Sequence, residues 1–194
     1  MMLNKLGLIG KGGFVKEVLA SINKKAFIPT IVNDIDGSLQ SYMKENQTAK
    51  YLLCMGNPDN RETIYCNNLN LNYLDYHISN GAHLLDKHTI NISTGSIICT
   101  GSVLTCDIII GKMTHINLNC TIGHDVTIGN FVTCSPGVNI SGNCNIGNNV
   151  FIGSNSVIKQ DLNIGNNIVI GMGSVVTKHL IEPGIYIGNP CKKV

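Results

Sequence analysis

The hydrophobic pattern of the chain has a period of six residues from Ile92 to Val176. Steps of six from Ile92 reach fifteen consecutive apolar residues, twelve of them isoleucine, without one insertion. This period fits neither a single α-helix, with about 3.6 residues per turn, nor a two-sided β-strand, with about 2. Short strands that are broken by a turn every six residues are typical of a β-solenoid.

A second period of eighteen residues is contained in the first. Ile110-Gly111, Ile128-Gly129, Ile146-Gly147 and Ile164-Gly165 follow one another at this spacing. Three hexapeptides therefore form one triangular coil, and residues eighteen apart are predicted to stack on the same corner. The pattern predicts about five coils, with a height on the order of 24 Å at the usual strand spacing. Asn and Gly are frequent at the predicted corners because they tolerate positive φ.

The N-terminal part has a different pattern, which predicts a small α/β unit. An apolar run over residues 6–9 leads into a glycine turn at 10–13, and helical spacing then continues to about residue 23. Strands are predicted at 28–32 and 51–55, a helix at 59–67 and a fourth short strand at 73–78. We therefore expect a Rossmann-like domain at 1–78 and a β-helix domain at 79–194, with a closing strand at 185–187.

The glycine turn favours a nucleotide site at the start of the first helix. Its backbone N–H groups can approach a phosphate there, and Asn33-Asp34 and Gly56 follow the next predicted strands. A dinucleotide fingerprint would require a third glycine where Val15 stands. A glycine turn without a ligand is the alternative interpretation.

Composition argues against several classes of function and indicates a cellular compartment. Charged residues make up 13% of the chain and the net charge is +2, so nothing favours nucleic-acid binding. No apolar run has transmembrane length, and the first residues do not resemble a signal peptide. The eight cysteines contain no Cys-x-x-Cys pair. We expect a cytoplasmic protein with reduced cysteines and no metal.

His124 is the residue of the repeat that most directly indicates chemistry. It occupies a predicted corner, and Gly142 stacks on it one coil later. An imidazole base beside a backbone N–H suits acyl transfer, and Asp125 could orient the imidazole. A side chain at position 142 is expected to enter the space that the acyl group uses. The alternative is a solvated corner histidine beside a turn aspartate.

Two further classes of function remain open at this stage. His115, the other histidine of the repeat, could join His124 in the zinc site of a hydratase, although a third ligand is missing from the pattern. A solenoid without catalytic activity that serves only in assembly is the other class.

The motifs together resemble the left-handed β-helix hexapeptide acyltransferases over nearly the whole chain. The likeness is greatest to nucleotide-amino-sugar N-acetyltransferases and sialic acid O-acetyltransferases that carry a small N-terminal nucleotide-binding domain. The motifs that carry it are Gly10-Lys11-Gly12-Gly13, Asn33-Asp34, Gly56-Asn57-Pro58, His124-Asp125, Ser135-Pro136-Gly137 and Gly188-Asn189-Pro190.

The resemblance implies a homotrimer with acetyl-CoA in the groove between neighbouring solenoids. It implies that His124 is the general base, Asp125 its supporting carboxylate and Gly142 the oxyanion donor. The implied nucleotide contacts are Gly12, Gly13, Phe14, Asn33, Asp34 and Gly56. The implied acetyl-CoA contacts are Thr133, Gly142, Ser154 and Met172. Many relatives have a second histidine where Thr133 stands.

We therefore expect an acetyl-CoA-dependent N-acetyltransferase. Its substrate would be the amino group of a nucleotide-linked sugar of the 4-amino-deoxy type, for glycan or surface polysaccharide synthesis. An O-acetyltransferase that acts on a sugar of the sialic acid type is the alternative.

Overall fold

The N-terminal part of the protein is a small parallel sheet with three helices. The structure is a computed structural model, and it describes residues 3–33 and 37–194. The elements of this part are β1 (Asn4–Ile9), α1 (Gly13–Ser21), β2 (Phe27–Val32), α2 (Ser38–Glu45), β3 (Lys50–Leu53) and α3 (Pro58–Asn67). The strands pair in the order β2-β1-β3. The strands predicted at 6–9, 28–32 and 51–55 and both predicted helices are present. The fourth strand, predicted at 73–78, covers only Tyr76–Ile78 and pairs within the solenoid instead, and α2 is an element that the sequence pattern did not predict.

Burial of alternate and helical apolar positions explains this unit. Leu6 and Leu8 of β1 are fully buried, and Val15 and Val18 form the inner stripe of α1. Gly10 ends β1 with a φ of 151°, and a Cβ there would lie 2.8 Å from the Cys54 carbonyl oxygen. Glycine therefore allows the ends of β1 and β3 to approach closely.

The rest of the chain is a parallel β-helix of very short strands. The first nine are β4 (Tyr76–Ile78), β5 (His83–Leu84), β6 (Ile90–Ile92), β7 (Ser96–Ile98), β8 (Val103–Leu104), β9 (Ile108–Ile110), β10 (His115–Ile116), β11 (Thr121–Ile122) and β12 (Thr127–Ile128). The next eight are β13 (Thr133–Cys134), β14 (Asn139–Ile140), β15 (Asn145–Ile146), β16 (Phe151–Ile152), β17 (Val157–Ile158), β18 (Asn163–Ile164), β19 (Ile168–Ile170) and β20 (Val175–Val176). The tail adds β21 (Gly184–Gly188) and β22 (Cys191–Lys193).

From β4 to β17, each strand pairs with the third strand after it, so that the chain winds around three sheets. Ile116, Cys134, Ile152 and Ile170 stack in register at intervals of eighteen residues, as predicted. These side chains point inward and belong to one continuous buried cluster. We call the sheet that contains β4, β7, β10, β13, β16, β19, β21 and β22 the interface sheet.

The solenoid begins one coil earlier than the six-residue pattern indicates. Ile78 pairs with Ile98 and Leu84 with Leu104, both twenty residues apart, whereas Ile92 pairs with Ile110 at eighteen. Two extra residues in this first coil therefore conceal it in the sequence. The prediction of about five coils was one too few, because the first coil begins at β4. The division into domains at residue 78 stays a prediction, although β4 already pairs within the solenoid.

The corners of the solenoid repeat a left-handed backbone conformation at every sixth residue. The positions with positive φ are Gly95, Gly101, Asp107, Met113, Asn119, Asp125, Phe131, Gly137, Asn143, Asn149, Asn155, Asp161, Asn167 and Gly173. All but two are Gly, Asn or Asp, the residues for which this conformation costs least.

The two exceptions, Met113 and Phe131, fasten the N-terminal unit to the solenoid. Both are buried in a cluster with Leu39, Tyr51 and Tyr73 of the N-terminal unit. Burial of a large apolar side chain contributes roughly 1.5–3 kcal/mol, which is comparable to the roughly 1–2 kcal/mol that a left-handed residue costs. Packing between the two parts of the chain therefore offsets the unfavourable backbone at these corners.

Arg61 of α3 is a second link between the two parts, and it is the only arginine in the sequence. Its side chain is fully buried. Its guanidinium donates to the carbonyl oxygens of Met113 at 2.6 Å, Met55 at 2.6 Å and Val132 at 3.0 Å. It also donates to the Thr133 hydroxyl at 3.0 Å. Burial lowers the pKa of Arg61 to about 9, so the side chain stays protonated at neutral pH.

The C-terminal tail closes the far end of the solenoid. β21 pairs with β19 in parallel and β22 folds back on it antiparallel, so the predicted closing strand is confirmed. Tyr186 fills the end of the core and donates its hydroxyl to the Glu182 carbonyl at 2.8 Å. Pairing covers a strand edge that would otherwise invite association. In the described residues, no helix has the length and apolar character needed to cross a membrane.

Substitution of Arg61 by methionine should loosen the N-terminal unit. The change keeps an unbranched side chain but removes every donor, which leaves the carbonyl oxygens of Met113 and Met55 without a partner, whereas the Val132 carbonyl keeps the His115 N–H. Each orphaned acceptor costs about 1–3 kcal/mol. We expect a clear drop in the midpoint of chemical denaturation, with Lys16→Met on the exposed side of α1 as the matched control. Equal denaturation midpoints for the two variants would show that Arg61 does not hold the N-terminal unit to the solenoid.

Candidate active site

His124 and Asp125 form a hydrogen-bonded pair on an exposed corner of the solenoid. Nδ1 of His124 lies 2.7 Å from Oδ2 of Asp125, and the two side chains are 64% and 59% exposed. Asp125 occupies a left-handed corner position, with a φ of 58°. The contact favours the tautomer in which Nδ1 carries the proton and donates to the carboxylate. Nε2 is then free to accept a proton.

Gly142 stacks directly on the imidazole, as the eighteen-residue spacing predicts. A Cβ at this position would lie 2.6 Å from both Cε1 and Nε2 of His124. The sequence predicts that a side chain here would obstruct the acyl group. In the structure, that side chain would first collide with the imidazole of His124. Glycine is therefore required here by the ring that lies against its backbone.

The N–H of Gly142, the residue that stacks on the imidazole, is an unused donor within the described residues. On another corner, the equivalent N–H groups of Lys112, Asn130 and Asn148 donate to an Asn Oδ1 of the next coil at 2.7–2.9 Å. Gly142 has no such acceptor among the residues that the structure describes. The corner of His124 and Gly142 thus lacks the Asn side-chain ladder of the neighbouring corner and leaves one N–H donor open, as an oxyanion site requires.

The backbone around this corner is held by the adjacent coils. Asn143 N–H donates to the His124 carbonyl at 2.8 Å, and the Asn143 amide donates to the Asp161 carboxylate at 2.8 Å. Cys106 occupies the corner one coil before His124. Partial burial and the neighbouring Asp107 raise the pKa of its thiol, so Cys106 stays protonated at neutral pH and is unsuited to act as a nucleophile.

Ser154 and Met172 share a different corner, one coil apart. Gly173 N–H donates to the Ser154 carbonyl at 2.8 Å, and Met172 is 82% exposed. One sheet of the solenoid, which contains β14 and β17, separates this corner from that of His124. Within a single chain, Ser154 and Met172 therefore do not meet the His124–Asp125 pair.

Thr133 lies apart from the other predicted cofactor contacts. It is buried in the interface sheet, where its hydroxyl donates to the Gly56 carbonyl at 2.7 Å and accepts from Arg61. In this position Thr133 joins the solenoid to the loop after β3. The structure thus assigns its polar atom to the seam between the two parts of the chain.

The predicted nucleotide contacts collect at the carboxyl edge of the N-terminal sheet. Ile9 and Leu53 end the neighbouring strands β1 and β3 in register. Gly12 caps α1, Gly13 begins it, and open space surrounds both glycines and Gly56. This edge, at the point where the strand order β2-β1-β3 reverses, is where α/β sheets bind ligands.

The remaining predicted nucleotide contacts are Phe14, Asn33 and Asp34. Phe14 is half-buried, with its ring centroid 5.0 Å from that of His115. Asn33 N–H donates to the Ser38 hydroxyl at 2.9 Å at the end of β2. Asp34 lies outside the described residues.

His115 is enclosed rather than available to a ligand. It is 1% exposed, and burial followed by the nearby Arg61 charge lowers its pKa well below the usual value. Neither ring nitrogen makes a hydrogen bond of good geometry, although a weak interaction with the Leu53 backbone opposes the shift. His115 faces the N-terminal unit and His124 a separate corner. In residues 3–33 and 37–194, no group of three or more His, Cys, Asp or Glu side chains could hold a metal ion.

Arg61 is the residue of this region that sequence reasoning missed. Its fixed guanidinium supports both Thr133 and the backbone at Met55, next to Gly56. A signal was present, because a chain with one arginine and thirteen lysines has a special use for that arginine.

Comparison with known proteins finds matches to the repeat and to the fold. A family model for bacterial transferase hexapeptide repeats matches residues 143–178. A comparison of the whole sequence with curated proteins gives no match.

Solved structures match over the whole chain. The acetyltransferase domain of PglB from Neisseria gonorrhoeae FA1090, in complex with acetyl coenzyme A, is 25% identical, with 100% of both chains covered and a TM-score of 0.87. WeeI from Acinetobacter baumannii AYE is 27% identical, with 97% of this chain and 99% of that chain covered and a TM-score of 0.79.

A third structure shows the same fold at lower identity. A mutant of perosamine N-acetyltransferase from Caulobacter crescentus, in complex with CoA and GDP-perosamine, is 20% identical, with 100% of this chain and 98% of that chain covered and a TM-score of 0.90. The predicted fold is thus confirmed as an N-terminal α/β unit followed by a left-handed parallel β-helix. The resemblance of this chain to the hexapeptide-repeat acyltransferases extends over its whole length.

Proposed function

We propose that the protein transfers the acetyl group of acetyl-CoA to the amino group of a nucleotide-linked amino sugar. The observation that carries this proposal is the pairing of the His124–Asp125 base with the open N–H of Gly142 one coil away. A general base and an oxyanion donor on neighbouring coils are the two groups that acyl transfer to an amine needs.

The geometry supports a direct transfer. The amine nitrogen of the sugar attacks the thioester carbonyl carbon, so that a C–N bond forms and the C–S bond breaks. Nε2 of His124 accepts the proton that the amine loses, while Asp125 stabilises the imidazolium that results. The Gly142 N–H stabilises the negative charge that develops on the carbonyl oxygen. The CoA sulfur leaves as a thiol when it takes up this proton from the imidazolium, which restores the neutral imidazole.

The N-terminal unit supports the nucleotide part of the proposal. Gly12, Gly13 and Gly56 leave open backbone at the start of α1, where N–H groups and the helix dipole favour phosphate. The PglB domain with bound acetyl coenzyme A supports the choice of acyl donor. The perosamine enzyme shows that this fold can hold CoA and a nucleotide-linked sugar together. On this basis Phe14, Asn33 and Asp34 remain proposed contacts.

We also propose a homotrimer in the cytoplasm. A cofactor that touches both the His124–Gly142 corner and the Ser154–Met172 corner fits a groove between two solenoids better than one chain, because a sheet separates these corners. The eight cysteines are free, which agrees with a reducing compartment. Light scattering should give a mass near three chains, and a fully active monomer would contradict the shared groove.

Replacement of His124 by alanine should lower kcat by roughly 10²–10⁴-fold, the usual contribution of a positioned general base. The assay follows CoA release with UDP-, dTDP- and GDP-linked amino sugars, and mass spectrometry locates the acetyl group. His83→Ala removes an exposed histidine of the first coil and should leave kcat unchanged.

Asp125→Asn separates charge from turn geometry in the same assay. Asn occupies several equivalent left-handed corners, so the fold should persist while the carboxylate is lost. We expect kcat to fall, but less than after loss of His124.

A folded His124→Ala enzyme with near-normal turnover, or acetyl transfer to sugar hydroxyls only, would contradict the proposal.

Gly142→Ala should displace the imidazole and lower acetyl transfer without loss of nucleotide-sugar binding. Loss of one oxyanion donor typically costs about 2.7–4 kcal/mol in the transition state. The same substitution in the His124→Ala background meets no ring, so there it should cost little stability. A double-mutant cycle of melting temperatures measures this coupling. Additive temperatures together with normal turnover of the single variant would remove Gly142 from the mechanism.

A further inference from the structure

A large cleft lies at the opposite end of α1 from the nucleotide edge. Its volume is about 850 Å³, and it opens between the end of α1 and the first two coils of the solenoid. Because α1 has nine residues at about 1.5 Å each, the cleft is on the order of 13 Å from Gly13. It is therefore separate from both sites described above. Its polar lining includes Ser21, Asn23, Lys24, Lys25, His77 and Asn80.

The charge of the cleft is of one sign. Lys24, Lys25 and His77 line it, and no carboxylate is among the lining residues. Both lysines are exposed, and neither forms an ion pair within the described part of the chain. Two unpaired ammonium groups at the mouth of a concave site attract anions, because the low-dielectric walls concentrate their electric field within the cleft.

The walls of the cleft can accommodate more than an ion. Phe27 at the start of β2 and Ile78 at the end of β4 supply half-buried apolar surface. The Asn80 amide lies beside them, and the Thr100 hydroxyl donates to the Asn80 carbonyl at 2.8 Å. Apolar surface with a few polar groups is typical of sites for small organic ligands.

His77 stands at the junction of the two parts of the chain. Its Nε2 lies 2.8 Å from the Ser21 hydroxyl and 3.3 Å from that of Ser79. The Ser21 hydroxyl donates its one proton to the Val18 carbonyl at 2.8 Å, so His77 donates to Ser21. Ser21 is thus held as an acceptor, which is the wrong role for a nucleophile that His77 would activate.

The charge of His77 depends on the content of the cleft. Burial lowers its pKa, so the ring is neutral at neutral pH. A bound anion beside the ring would stabilise the imidazolium and raise this pKa. The cleft can therefore gain a third positive charge when an anion enters it.

We propose that this cleft is a second ligand site, which binds a small molecule through its phosphate group. Lys24 and Lys25 neutralise the phosphate, Asn80 donates to it, the imidazolium of His77 adds a third positive charge, and Phe27 and Ile78 hold the apolar part of the ligand. The site is independent of acetyl transfer, since it shares no residue with the His124 corner or with the glycines at the start of α1.

Proton NMR of the His77 ring tests the proposal directly, with inorganic pyrophosphate as the probe. Loss of one ring signal in His77→Gln assigns the resonance. We expect a saturable shift of this signal with pyrophosphate and an increase in the pKa of His77 when the probe is bound. Lys24→Ala/Lys25→Ala should abolish the shift, whereas Lys16→Ala/Lys50→Ala removes the same charge outside the cleft and should preserve it.

A nucleoside diphosphate provides the second arm of the experiment. A response of His77 to both probes supports a phosphate site, and tighter binding of the nucleoside diphosphate adds the apolar wall to recognition. No response to either probe would overturn the proposal, as would equal responses of the wild-type protein and the Lys24→Ala/Lys25→Ala variant. Because the reporter lies in the cleft, neither result depends on whether the protein transfers acetyl groups.

Discussion

A left-handed backbone residue at every sixth position is the constraint on which the structure depends. It turns the chain at each corner, fixes coils of eighteen residues and thereby sets which side chain stacks on which. His124 meets Gly142 for this reason alone. The same rule places Asp125 at a left-handed corner, where its carboxylate reaches Nδ1 of its neighbour. The proposed catalytic group is thus a local variation on a structural repeat.

The N-terminal unit depends on departures from that repeat. Met113 and Phe131 occupy left-handed corners that favour Asn or Gly, and they are buried against the N-terminal unit. Arg61 bonds to backbone carbonyls of the solenoid next to one of these corners. Thr133 then connects Arg61 to Gly56 at the carboxyl edge of the N-terminal sheet. A chain of polar contacts therefore runs from the interface sheet to Gly56 at the proposed nucleotide site, and the cleft beside Lys24 and Lys25 is not part of it.

The sequence predicts the features that depend on the regular spacing of residues, but not those that depend on packing between distant parts of the chain. The stacking of His124 and Gly142 followed from arithmetic, because the repeat has no insertion after Ile92. The first coil did not, because two extra residues break its period. Helix α2 buries only Leu39, so its apolar pattern was too weak to predict. The burial of Thr133 depends on Arg61, a contact between residues seventy-two apart that no local pattern encodes.

The central claim is that the Gly142 N–H receives the thioester oxygen while Nε2 of His124 faces the amine. A crystal structure with a non-hydrolysable acetyl-CoA analogue and a nucleotide-linked amino sugar measures both contacts at once. The account predicts the carbonyl oxygen about 2.7–3.1 Å from Gly142 N, and the sugar nitrogen within hydrogen-bonding reach of Nε2. An analogue whose carbonyl is turned away from Gly142, with the amine distant from His124, would contradict it.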